Sequence, residues 1–87
     1  MPMYMADRDL PGITLEQLAA LQKVAIEMSQ RFTSEGKSMR YIRNTFVPSE
    51  SHCMTLFEAP NAKLVQEVNE AAGISFTRII EVLEFTP

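Results

Sequence analysis

Cysteine and histidine occur once each, side by side at His52 and Cys53, and tryptophan does not occur at all. A single thiol cannot close an internal disulfide, and one histidine beside one cysteine leaves no C-x-x-C or H-x-x-x-H spacing from which to build a metal staple. Charge of one sign is scarce too: eight Lys and Arg stand against eleven Asp and Glu, a formal net charge of -3, and neither sign runs in a block. The basic footprint that nucleic acid or an anionic membrane demands is therefore missing. No apolar run approaches the roughly 20 residues that cross a bilayer. The start, MPMYMADRDL, has no basic n-region, and Asp7 interrupts it before an apolar h-region forms, so it does not read as a secretion signal. A free thiol suits a reducing compartment, and the expectation is a cytoplasmic protein. The chain also lacks a phosphate loop, a G-x-G-x-x-G turn and a G-x-S-x-G elbow, so no residue constellation names a reaction.

What is present is a pattern of short elements in 87 residues. A chain this small buries a smaller fraction of its surface than a long one, and its core is marginal. With no disulfide or metal to supplement that core, association with a second chain is the expected supplement.

Residues 3–10 alternate weakly and stop at Pro11-Gly12, a strand and a turn. Thr14, with Gln17 three residues on, has the form of a capping box. Leu15, Leu18, Leu21, Ala25, Met28 and Phe32 then recur at three- and four-residue spacing, which makes one face of a helix apolar for about five turns before Gly36 ends it. Residues 39–47 are rich in aromatic and β-branched types, Pro48 to Ser51 is a polar turn, and residues 52–59 return antiparallel. A shorter helix opens at Pro60-Asn61, turns Leu64, Val65, Val68, Ala71 and Ala72 to one side, and stops at Gly73. Arg78 to Phe85, RIIEVLEF, is the last strand. The order β-α-β-β-α-β predicts a ferredoxin-like α+β fold over residues 1–87, a four-stranded antiparallel sheet with two helices on one face.

Two helices cover only one face of such a sheet, and the other should be polar if it meets water. It is not: Ile79, Leu83 and Phe85 oppose Ile80 and Val82, Phe57 opposes Met54 and Leu56, and Ile42 and Phe46 oppose Tyr41, Thr45 and Val47. A second copy packed sheet against sheet is the expected cover, a two-fold homodimer forming an α+β barrel; a different protein docking on the same patch is the alternative.

If the turn sets Val47 opposite His52, then Arg43 lies opposite Leu56 and Tyr41 opposite Glu58. Tyr41, Arg43, Thr45, His52, Met54 and Glu58 then share the face toward the dimer cavity, and Ile42, Phe46, Cys53 and Phe57 the face toward the helices. A one-residue slip in register would swap them. On the cavity face an Arg and a Tyr suit a small anion or carboxylate, while Arg43 paired with Glu58 or Glu81 is the structural alternative. His52 and Cys53, adjacent on a strand, point to opposite faces and cannot share an ion without a bulge or twist.

The pieces YMADRDLPGIT, MRYIRNTFVP, HCMTLFEAP and AGISFTRIIEV together resemble the short bacterial proteins grouped as the domain of unknown function 4242 family, some of which are described as nickel-binding. The resemblance runs over nearly the full length. It implies the same ferredoxin-like fold, a dimer, and nickel or another divalent transition metal as ligand. By position it carries over Arg8, Tyr41, Arg43, Cys53, Glu58 and Glu81 without giving any of them a role. The chain departs from it at Thr55 and Val68, where members often have cysteine and histidine, and at Ser75 and Thr77, where proline and aspartate are frequent; a Thr hydroxyl or a Val side chain does not replace a thiolate or imidazole ligand.

Two functional expectations of different class follow. The first is a small dimeric binding protein for a transition metal such as nickel, with His52, Cys53 and nearby carboxylates as the candidate ligands. The second is a cofactor-free enzyme or carrier for a small organic acid in the barrel cavity, with Arg8, Tyr41, Arg43, Glu58 and Glu81 as lining candidates, an expectation from analogy of fold. There Tyr41 and Arg43 would orient the anion, and Glu58, Glu81 or His52 would move a proton. A regulatory subunit that docks through its second sheet face is the structural alternative to both.

Overall fold

The capping box written at Thr14 forms as the sequence spells it. Thr14 Oγ1 accepts from the Gln17 backbone N–H at 3.0 Å, and Gln17 Oε1 accepts from the Thr14 N–H at 3.0 Å, which satisfies two of the amides a helix start leaves unpaired. Behind it the first helix, α1, runs Leu15–Ser34 in the computed structural model, which describes residues 1–87. Replacing Thr14 with alanine removes one side of the box and is expected to cost about 1 kcal/mol. A urea titration checks it, and a loss under a few tenths would mean that packing alone holds the helix start.

The strands are β1 (Met3–Asp9), β2 (Arg40–Val47), β3 (His52–Glu58) and β4 (Arg78–Val82), and a second helix, α2, spans Ala62–Ala71. They form one antiparallel sheet in the order β2-β3-β1-β4. Each strand–helix–strand half contributes one inner and one outer strand, the ferredoxin-like arrangement expected from the element order. The inner strands carry the core: Tyr4 and Ala6 of β1 and Phe57 of β3 pack against Phe32 of α1 and Val65 and Val68 of α2. The apolar stripe of α1 is buried at Ala25 and Phe32 and half-buried at Leu18, Leu21 and Met28, whereas Leu15, expected in it, is 75 % exposed at the first position of the helix. Ser29 takes a buried place on that face because its hydroxyl donates to the Ala25 carbonyl at 2.8 Å.

Two departures from the expected strands shape everything near the site. Val47 does pair with His52 and Arg43 with Leu56, but a bulge between Tyr41 and Arg43 inserts Ile42 as an extra residue, so Tyr41 pairs with Phe57 rather than with Glu58. Because side chains alternate with period two, one extra residue turns all those before it to the other face. Tyr41 therefore joins the helix side, where its ring meets Phe57 edge-on at 5.7 Å and 86°.

The second departure is at the C-terminus. β4 stops at Val82, and the chain beyond it turns back over the open face until Glu84 takes both its oxygens to the guanidinium of Arg43, on the strand at the opposite edge of the sheet. Leu56, on that face of β3, is 1 % exposed, and Leu83 and Phe85 point into solvent instead of lying in a strand. The remaining apolar residues of the open face stay partly uncovered: Met3, Met5, Met54 and Val82 are half-buried and Ile80 is exposed.

Candidate functional site

Strand alternation sorts the polar residues of β1 and β3 into two clusters, one on each face of the sheet. Arg8, Cys53 and Thr55 point toward the helices, whereas Asp7, Asp9 and His52 point to the open face, since Arg8 pairs with Cys53 while Asp7 and Asp9 pair with Met54 and His52.

On the helix side Arg8 is 3 % exposed. Its Nη2 donates to Thr55 Oγ1 at 2.8 Å and its Nη1 to the Ser75 carbonyl at 3.1 Å. The Thr55 hydroxyl donates in turn to Asn44 Oδ1 at 2.9 Å, and the same oxygen accepts from Cys53 Sγ at 2.8 Å. The hydroxyl of Tyr41 is fully enclosed beside this chain and has no partner. Between these groups lies a small cavity of about 10 Å³, closed on the helix side by Leu18, Leu21 and Ala25. Gln22, Tyr41 and Asn44 form part of its wall and also line an open groove of about 800 Å³ between α1 and β2. Burial lowers the affinity of the Arg8 guanidinium for its proton, with the neighbouring Cys53 and Tyr41 opposing that shift. Burial likewise pushes the Tyr41 phenol up to about 12, helped by Cys53 and opposed by Arg8.

On the open face the imidazole of His52 stands between two carboxylates. Nδ1 is 3.0 Å from Asp9 Oδ1, and Nε2 is 3.8 Å from Asp7 Oδ1. Asp7 is itself buried and receives Arg78 Nε on its other oxygen at 2.8 Å. A carboxylate thus faces each ring nitrogen, with Asp9 holding Nδ1 and fixing the plane of the ring and Asp7 facing Nε2.

The residues singled out in the sequence are thus divided. Arg8 and Tyr41 come together with Cys53 on the helix side. Arg43 is on the other face, tied to Glu84, and Glu58 is tied to Arg40 at 3.3 Å; neither pairs as the structural alternative had it. Glu81 is exposed on the edge strand β4. His52 and Cys53 do point to opposite faces. No group of three or more His, Cys, Asp and Glu side chains converges anywhere in the chain. Sequence reasoning missed Asp7 and Asp9 as neighbours of His52, although their spacing of two on a strand was the signal that they share a face. It also missed Asn44, although its pairing with Thr55 follows from the expected register, and Gln22, which only the packing of α1 brings to the cavity.

The fold is that of a known structure. The crystal structure of SCO4226 from Streptomyces coelicolor A3(2) superposes with a TM-score of 0.81 at 24 % sequence identity, covering 97 % of this chain and 99 % of that one. No curated protein sequence matches the chain. No helix is long and apolar enough to cross a membrane. The family profile described as nickel responsive protein, SCO4226-like, matches residues 4–82, from the second residue of β1 to the last of β4, and the chain belongs to that family.

Proposed function

We propose that this protein is a small nickel-binding protein whose metal site is shared between two copies, each giving His52 Nε2 and Asp7 from its open sheet face, with Asp9 orienting the imidazole. The observation that carries the reading is the placement of His52: it is held by Asp9 on one ring nitrogen and turned toward a second carboxylate 3.8 Å from the other, on the face the helices leave uncovered. One chain alone does not fit the ion, since no three donors meet, and nickel with nitrogen and oxygen ligands takes four or more. A second copy placed sheet to sheet would supply the rest and would also cover Met3, Met5, Met54 and Ile80. The family's description as nickel-responsive supports the choice of metal. Cys53 has no part in this site, because the sheet separates it from His52.

Elemental analysis and nickel titration of untagged, chelator-free protein test the proposal, with molecular mass followed by light scattering. Bound nickel in the parent and in Cys53→Ser, its loss in His52→Ala, and a mass of two chains are the expected results. Unchanged nickel stoichiometry in His52→Ala would remove His52 from the site. Nickel bound by a species with the mass of one chain would remove the second copy.

A further inference from the structure

Arg8 is a buried cation with no carboxylate beside it. No carboxylate of the chain lies within ion-pair distance of its guanidinium; Asp7, next to it in sequence, projects through the other face to Arg78 and His52. Its guanidinium donates to two neutral oxygens, the Thr55 hydroxyl and the Ser75 backbone carbonyl, which take up two of the five N–H groups a guanidinium offers. No carboxylate enters the network further on either: Thr55 and Cys53 both donate to Asn44 Oδ1. A charge taken out of water without a counter-charge is strongly unfavourable. Tyr41 adds a second unmet demand in the same place, an enclosed hydroxyl with no acceptor.

We propose that the cavity walled by Arg8, Tyr41 and Cys53 binds a halide ion, which neutralises Arg8 and accepts a hydrogen bond from the Tyr41 hydroxyl. Three further observations set the class of ligand. The cavity, at about 10 Å³, holds about one water-sized sphere, so a polyatomic anion such as sulfate, phosphate or formate is excluded and a monatomic one is favoured. A water molecule there would satisfy Tyr41 but leave the charge of Arg8 standing; an anion satisfies both. The groove between α1 and β2 shares Gln22, Tyr41 and Asn44 with the cavity wall and is the side from which an ion would reach it. The site lies on the opposite face from His52 and stands or falls independently of nickel.

Thermal unfolding of the full chain tests this in sodium gluconate, replaced at constant ionic strength by sodium chloride, bromide, formate or sulfate. The expected result is a saturable rise in Tm with the halides and none with formate or sulfate. A hydrogen bond to a charged group corresponds to a loss of about tenfold in affinity when it is removed, and that weakening is expected for Tyr41→Phe. In Arg8→Met the anion dependence should vanish; Tyr41→Phe keeps the test decisive if that variant does not fold. His52→Ala should bind the anion as the parent does. Equal melting in all the salts, a formate or sulfate effect as large as that of chloride, or an unchanged anion affinity in Tyr41→Phe would each overturn the proposal.

Discussion

Phe57→Ala is expected to lower the unfolding free energy by about 3–5 kcal/mol. Phe57 lies on β3, one of the two inner strands, is 1 % exposed, and is met by Tyr4, Phe32, Val65 and Val68 from the rest of the core cluster. Its ring also supports the edge of Tyr41 at 5.7 Å, an aromatic contact worth about 0.5–1.5 kcal/mol beyond area burial. A domain of this size has a total stability of about 4–13 kcal/mol. The substitution therefore removes a large share of it, and the variant should be largely unfolded near 37 °C if the parent lies at the lower end. Phe57→Leu keeps most of the volume and should cost about 1–2 kcal/mol. Urea unfolding followed by circular dichroism measures both. A loss under about 1 kcal/mol for the alanine variant would mean that the two helices close over the gap, contrary to a close-packed interior.

The same cluster explains which parts of this molecule could be read from its residues. The element order was legible because each element carries its own local signal: the Thr14–Gln17 box, the three- and four-residue spacing to Phe32, the Pro48 turn, and Asn61, whose side chain does accept from the Leu64 amide at 2.8 Å. Such signals act over a few residues and need no knowledge of the tertiary structure. The candidate sites depended instead on which face each strand residue takes, and parity along a strand survives only until a bulge. Arg43 and His52 lie on the same side of the Ile42 bulge and keep the expected pairing; Tyr41 lies beyond it and changes face. The expected grouping of Tyr41 with Arg43 failed for that reason, and the grouping of Tyr41 with Arg8 and Cys53 took its place. The tail went unread for a related reason. RIIEVLEF alternates well enough to be one strand, but β1, its only partner, ends its pairing at Met3, opposite Val82. With no neighbour to bond, residues 83–85 leave the sheet, and the Arg43–Glu84 ion pair fixes the segment on the open face.

Between pH 10 and pH 12 the protein is expected to lose stability through Tyr41, and Tyr41→Phe is expected to remove that loss. Burial of the phenol disfavours its charged form and pushes its pKa up from 10.0 to about 12, with Cys53 adding to the shift and Arg8 opposing it. For a group whose folded pKa lies above its unfolded one, the contribution to stability is whole below the unfolded value and disappears as pH rises through the folded value. Below pH 10 both states keep the proton. Between 10 and 12 the unfolded chain releases it while the folded chain holds it, which favours unfolding. Urea midpoints of parent and Tyr41→Phe measured from pH 8 to 12 isolate the effect, because every other group is common to both proteins and cancels in the difference. The parent should lose ground to the variant over this window, and a constant difference would mean that Tyr41 is solvated. An anion in the neighbouring cavity sharpens the expectation. A negative charge near the phenol disfavours phenolate further, so the descending limb should move to higher pH in the salt whose anion binds and stay where it is in gluconate. If anion binding raises Tm at neutral pH but leaves this limb in place, the ion lies somewhere other than against the Tyr41 hydroxyl.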